Sequence, residues 1–146
     1  KGNLMKKIIF GLFGLSLFLS AATTSCTLKA QYPGSGPAPQ AYCWDISTIY
    51  SAKYSSGEYT SFKSSTTYDH GGSYVGAVID VFGYGDSTSA DVNYDNMTLT
   101  QTINLYNSYN ILIGKRYVYL KNPNSYEYGM IRAKNYGSVM DSVYFK

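Results

Sequence analysis

From Ala41 onward, clusters of glycine, asparagine and aspartate cut the chain about every ten residues, and no stretch between them has a helical apolar period. Such punctuation leaves room for strands and little else. Ser73–Gly85, SYVGAVIDVFGYG, is apolar on nearly both faces. Val75, Ala77, Ile79 and Val81 share one side, and Tyr74, Gly76, Val78, Asp80 and Phe82 share the other. This predicts a central strand, with Gly76, Gly83 and Gly85 at bulges or close approaches. Met97–Leu105 alternates most cleanly of all. Met97, Leu99, Ile103 and Leu105 are predicted to face inward, interrupted by Gln101, with Thr98, Thr100, Thr102 and Asn104 outward. One wet face argues for antiparallel pairing and against a parallel sheet covered by helices.

The remaining strands follow from the same signals. Ala41–Tyr50 reads as the first, with Tyr42, Trp44, Ile46 and Thr48 on one face, and Glu58–Lys63 as a short second. Ala90–Tyr94 joins Met97–Leu105 through an Asp95-Asn96 hairpin connection. Tyr109–Ile113 pairs with Arg116–Lys121 across Gly114-Lys115, and Asn122–Ser125 turns the chain. Tyr126–Lys134 and Ser138–Phe145 complete about eight strands. The expected fold is all-β: an antiparallel β-sandwich, jelly-roll or Ig-like, or a small barrel.

Ahead of this domain, Met5-Lys6-Lys7 and the apolar run Ile8–Ala22 have the basic and hydrophobic regions of a secretory signal. Residues 1–30 are therefore expected to be a signal peptide or lipoprotein leader, 31–40 a Pro/Gly-rich arm or tether, and 41–146 a single β domain. Cys26, after Thr23-Thr24-Ser25, resembles the lipobox of bacterial lipoproteins, which implies lipidation at Cys26. That resemblance covers the processing site alone, and Thr23 departs from the leucine usual at its position. Cleavage near Ala30-Gln31 is the alternative. Either event leaves Cys43 without a partner in the chain, so a buried thiol is expected between Tyr42 and Trp44. A Cys26–Cys43 disulfide would need Cys26 retained and unlipidated. The implied location is secreted or cell-surface, in a bacterial setting, with membrane contact only through a lipid anchor.

Charge then excludes a partner class. The full chain carries a net +3, but residues 31–146 hold eight Lys/Arg against nine Asp/Glu. The basicity belongs to the leader, and no nucleic-acid partner is expected. All 17 tyrosines lie within residues 32–144, where Leu, Ile, Val and Phe are scarce. Near-neutral charge and so many rings favour a folded domain in which tyrosine takes over part of the work of leucine.

Catalytic residues are sparse. His70 is the only histidine, beside Asp69 in a polar turn, and no serine sits in a nucleophile-elbow setting. One histidine and two cysteines fall short of a zinc set. Asp86 and Asp91 are weak calcium candidates lacking the EF-hand spacing. No cofactor and no catalytic residue is assigned.

Two non-enzymatic functions are expected instead. The first is a structural, self-associating protein, a filament or matrix subunit, whose partners are copies of itself. Residues 99–113 carry no charge, and Thr98, Thr100, Thr102, Tyr106 and Tyr109 are the candidate contact residues should an edge strand lie there. The alternative is a surface module binding a glycan, another surface polymer or a small ligand. Tyr117, Tyr119, Tyr126 and Tyr128, with Asn122 and Asn124, are the candidates for that site, on one predicted hairpin.

Overall fold

A computed structural model describes Cys26 and residues 40–146. The predicted leader and the arm, Cys26 and Gln40 excepted, lie outside the described residues. The domain is an all-β sandwich of nine strands: β1 (Cys43–Ser51), β2 (Glu58–Tyr59), β3 (Val75–Phe82), β4 (Thr88–Val92), β5 (Asp95–Asn96), β6 (Thr98–Tyr106), β7 (Leu112–Lys121), β8 (Gly129–Asn135) and β9 (Ser138–Phe145). They form a five-stranded sheet, β2-β1-β3-β7-β6, and a four-stranded sheet, β5-β4-β8-β9. Every strand pairing is antiparallel.

β3 occupies the centre of its sheet, as its two apolar faces require. Val75, Ala77, Ile79 and Val81 point inward and are fully buried. They meet Ala90, Val92, Ile131, Ala133 and Val143 from the other sheet. Trp44 and Tyr119 join this core, and both tie the sheets together. The Trp44 indole donates to Thr88 Oγ1 at 3.0 Å, and the Tyr119 hydroxyl donates to the Thr88 carbonyl at 2.9 Å. On the outer face, Gly76 lets the Tyr50 ring lie flat against β3. A Cβ there would sit 2.0 Å from Tyr50 Cζ.

Several expected boundaries are corrected. Tyr109–Ile113 and Arg116–Lys121 are not a hairpin, because β7 runs unbroken through Gly114. Gly114 is a close approach rather than a turn: a Cβ would fall 2.0 Å from the Val81 carbonyl on β3. The turn lies earlier, at 107–111, where Asn107 Oδ1 accepts the N–H groups of Tyr109 and Ile111. Asp95-Asn96 is likewise a strand, β5, and the connection is Asn93-Tyr94. Both residues have positive φ, 47° and 71°, the sign that type I′ hairpin turns demand. Glu58–Lys63 contributes only two strand residues.

The predicted core face of Met97–Leu105 also fails. Met97 is buried, but Leu99 and Ile103 are 47% and 38% exposed. Two causes act together. β6 is the terminal strand of its sheet, and a bulge at Thr100 breaks its register: Leu99 pairs with Tyr119 while Gln101 pairs with Val118. A one-residue slip moves every later side chain to the opposite face. Leu99 thus lies on the inner side, whereas Ile103, opposite Arg116, lies on the outer one.

Cys43 is buried as expected, yet it is not a free thiol. It forms a disulfide with Cys26, with the Cα atoms 5.3 Å apart. One sulfur cannot carry both this bond and a lipid, so the disulfide and lipidation at Cys26 are mutually exclusive.

Candidate functional site

The sandwich has four edges, and three are blunted. β2 and β5 are two residues long. β9 carries a bulge beside Ala133/Lys134, and backbone from Ser64–Thr66 covers its Tyr144 end. The Thr66 N–H donates to the Tyr144 carbonyl at 2.7 Å, and the Tyr144 N–H donates to the Ser64 carbonyl at 2.9 Å. The fourth edge is β6. It is nine residues long, uncharged and exposed along nearly its whole length. Beyond the bulge, Gln101–Leu105 keeps regular register with β7, so this stretch presents its outer N–H and C=O groups at sheet spacing.

All five residues predicted for self-association fall on this hairpin. Thr98, Thr100, Thr102, Tyr106 and Tyr109 are exposed. They do not form one stripe. Thr98 pairs with Leu120 on the outer side and Thr102 with Tyr117 on the inner side. Thr100 occupies the bulge, where its hydroxyl donates to the Val118 carbonyl at 3.0 Å.

The six residues predicted for ligand binding are dispersed. Tyr119 is a core residue, and burial pushes its hydroxyl pKa up to about 12. Tyr117 packs against the core, and its hydroxyl donates to Asp86 at 2.8 Å. Tyr126 donates to Asp95. Asn124 braces a loop through the Gly72 and Tyr126 carbonyls, and Asn122 precedes the cis-proline Pro123. Of the six, Tyr128 lines a cavity.

That cavity is an open groove of about 690 Å³ on the outside of the four-stranded sheet. Its walls include Tyr94, Tyr128 and Tyr144, which are 80%, 76% and 56% exposed. Asn93, Ser65 and Thr66 add polar groups. The Arg132 guanidinium lies 4.4 Å from the centre of the Tyr94 ring. Beneath it, buried Asp91 accepts Arg132 Nε and Nη2 at 2.8 and 2.6 Å, and Lys134 Nζ approaches at 2.9 Å. Burial alone would raise the Asp91 carboxyl, but these bonds hold it below its ordinary range. Asp91 is thereby committed to two cations, and Asp86 Oδ2 accepts from both Thr88 and Tyr117. Among the described residues, no group of three or more His, Cys, Asp or Glu is placed to hold a metal.

A buried polar cluster escapes the sequence because Ser51, Glu58 and His70 meet only through the β1–β2 pairing and the loop after it, whose path leaves no sequence signal. His70 Nδ1 lies 3.3 Å from Ser51 Oγ, and His70 Nε2 lies 3.7 Å from Glu58 Oε1. Residue types and order mimic a hydrolytic triad. Ser51 and His70 are 0% exposed, so no substrate reaches the serine. The cluster instead pins the 64–70 segment. Glu58 accepts the Thr67 and Tyr68 N–H groups at 2.7 Å each, and His70 donates its backbone N–H to the Lys146 carbonyl. This holds Ser65 and Thr66 as a groove wall. Burial drives the His70 pKa down, against the pull of Glu58 and Asp69.

A family model described as a domain of unknown function, DUF4879, matches residues 36–142. The chain belongs to this family. The match spans all of the DUF4879 sandwich up to the middle of β9, including the β6 edge and most of the groove. No curated protein and no solved structure matches the chain.

Proposed function

We infer that this DUF4879 protein is an exported, non-enzymatic structural protein that assembles with copies of itself by strand addition at β6. The observation carrying this reading is the β6 edge, which no described segment covers, in a sandwich whose other three edges are two residues long or are bulged and partly covered. Natural sheets blunt long edges with charge, proline, a bulge or a covering segment; among the described residues Thr98–Tyr106 has only its bulges at Thr100 and at Leu105/Tyr106, and Gln101–Leu105 between them stays in regular register. Leu99, Ile103 and Tyr106 flank the edge and supply apolar area to a joint. Export rests on the basic and apolar leader.

The distribution of edges also sets the geometry. A filament needs two complementary open edges, and among the described residues β6 is the one long edge with no covering segment. β6 must then meet β6 of a second copy, antiparallel about a two-fold axis, giving a closed pair with a continuous sheet.

Sizing with light scattering across a wide concentration range tests this. A monomer–dimer equilibrium is expected, and Gln101→Lys with Thr102→Lys should hold the protein monomeric with unchanged circular dichroism. A parent that is monomeric at every concentration overturns the self-association. Open-ended fibres by electron microscopy overturn the closed pair.

A further inference from the structure

The groove on the four-stranded sheet is remote in topology from the β6 edge and has a chemistry of its own. Three of the domain's exposed tyrosine rings, Tyr94, Tyr128 and Tyr144, converge on its walls, and Tyr94 is backed by the Arg132 guanidinium. A planar aromatic face without a protein neighbour suits a ligand with an apolar face of similar size. The C–H face of a pyranose ring is such a surface, and its hydroxyls suit Asn93, Ser65 and Thr66.

Charge narrows the class. No acidic side chain is among the lining residues, although acids outnumber bases across residues 31–146. Below the floor, one buried acid, Asp91, faces two bases, Arg132 and Lys134, so the cluster is net positive. Asp91 takes only Nε and Nη2 of the guanidinium, which leaves its Nη1 side for another acceptor. We propose that this groove binds an acidic polysaccharide, with pyranose rings stacked on Tyr128 and Tyr144 and a sugar carboxylate directed to Arg132. A single strand of nucleic acid would stack too, but it offers fewer hydroxyls to Asn93, Ser65 and Thr66 than a sugar polymer does. The surplus charge of this cluster, with Lys146 also at the groove wall, suits a ligand that carries carboxylates.

The test is titration calorimetry with oligogalacturonate, with neutral dextran and oligo-dT as comparison ligands. Saturable binding of oligogalacturonate is expected, weakened by added salt. Tyr128→Ala and Tyr144→Ala should each weaken it about tenfold, the scale of one lost stacking contact. Tyr59→Ala, an exposed ring on the other sheet, should leave it unchanged. No binding, equal binding of dextran, preference for oligo-dT, or indifference to both groove variants overturns the proposal. Repeating the titration on the Gln101→Lys/Thr102→Lys protein keeps this outcome separate from that of self-association.

Discussion

Asp141 Oδ2 accepts the backbone N–H of Ile46 at 2.8 Å, joining the edge strand of one sheet to the bulge in β1 of the other. Asp141 is opposite Ala133 on the inner side of β9, so its carboxylate points into the sandwich. Burial, with Asp45 nearby, raises its pKa to about 6. The folded state therefore holds this proton more tightly than the unfolded chain does. The stability so gained is present below the ordinary aspartate range and is lost as pH rises through about 6. Asp141→Asn keeps an acceptor for Ile46 without the buried charge. It should be more stable than the parent at pH about 8, on the order of 2 kcal/mol, and indistinguishable at pH about 4. Urea unfolding at the two pH values checks this, and a constant difference would reject the assignment.

At the acid end, Glu58, Asp91 and His70 act in the opposite direction. All three pKa values are lowered in the fold. The unfolded chain takes up protons first, so their contribution is lost as pH falls: His70 below its ordinary range, then the two carboxylates below theirs. Arg132→Met removes the bidentate partner of a buried acid and should cost about 2–4 kcal/mol at neutral pH. The loss should shrink on acidification as Asp91 is protonated. Thermal unfolding of parent and variant from neutral to acidic pH gives the comparison.

Packing predictions follow from the corrected register. Ile79→Ala and Ile131→Ala empty fully buried positions and should cost about 2–5 kcal/mol each. Leu99→Ala and Ile103→Ala lie on the exposed edge and should cost less than about 1 kcal/mol. Chemical denaturation of the four variants distinguishes an edge β6 from a core β6.

The contrast between β3 and β6 shows what patterning can carry. β3 is apolar on both sides, and only a central position satisfies that, so burial and sequence agree. Met97–Leu105 has a cleaner alternation, but alternation says which residues share a face only while register holds. The Thr100 bulge leaves no mark in composition, and exposure at an edge depends on how far the opposite sheet extends. The Asn93-Tyr94 turn escaped for a local reason: tyrosine seldom takes positive φ, and the neighbouring Asp-Asn was the stronger signal. In the groove, Tyr128 was legible only as one tyrosine among many. Tyr94 and Tyr144 join it through a turn and a strand pairing that connect distant segments. Ser51, Glu58 and His70 converge by the same route.

The disulfide gives a prediction about processing. Cys26 and Cys43 close a loop with a separation of 17 residues. Loops of that size constrain the unfolded chain by about 3 kcal/mol in the chain-entropy account. A protein that keeps this bond retains Cys26 with neither a lipid on its sulfur nor a cut near Gln31. Alkylation of the purified exported protein followed by intact mass should show no label before reduction and two labels after it. Reduction should also lower the unfolding midpoint. One label without reduction, together with a mass beginning near Gln31 or carrying a lipid, would show that Cys43 is left as the lone thiol and that the disulfide belongs at most to the unprocessed chain.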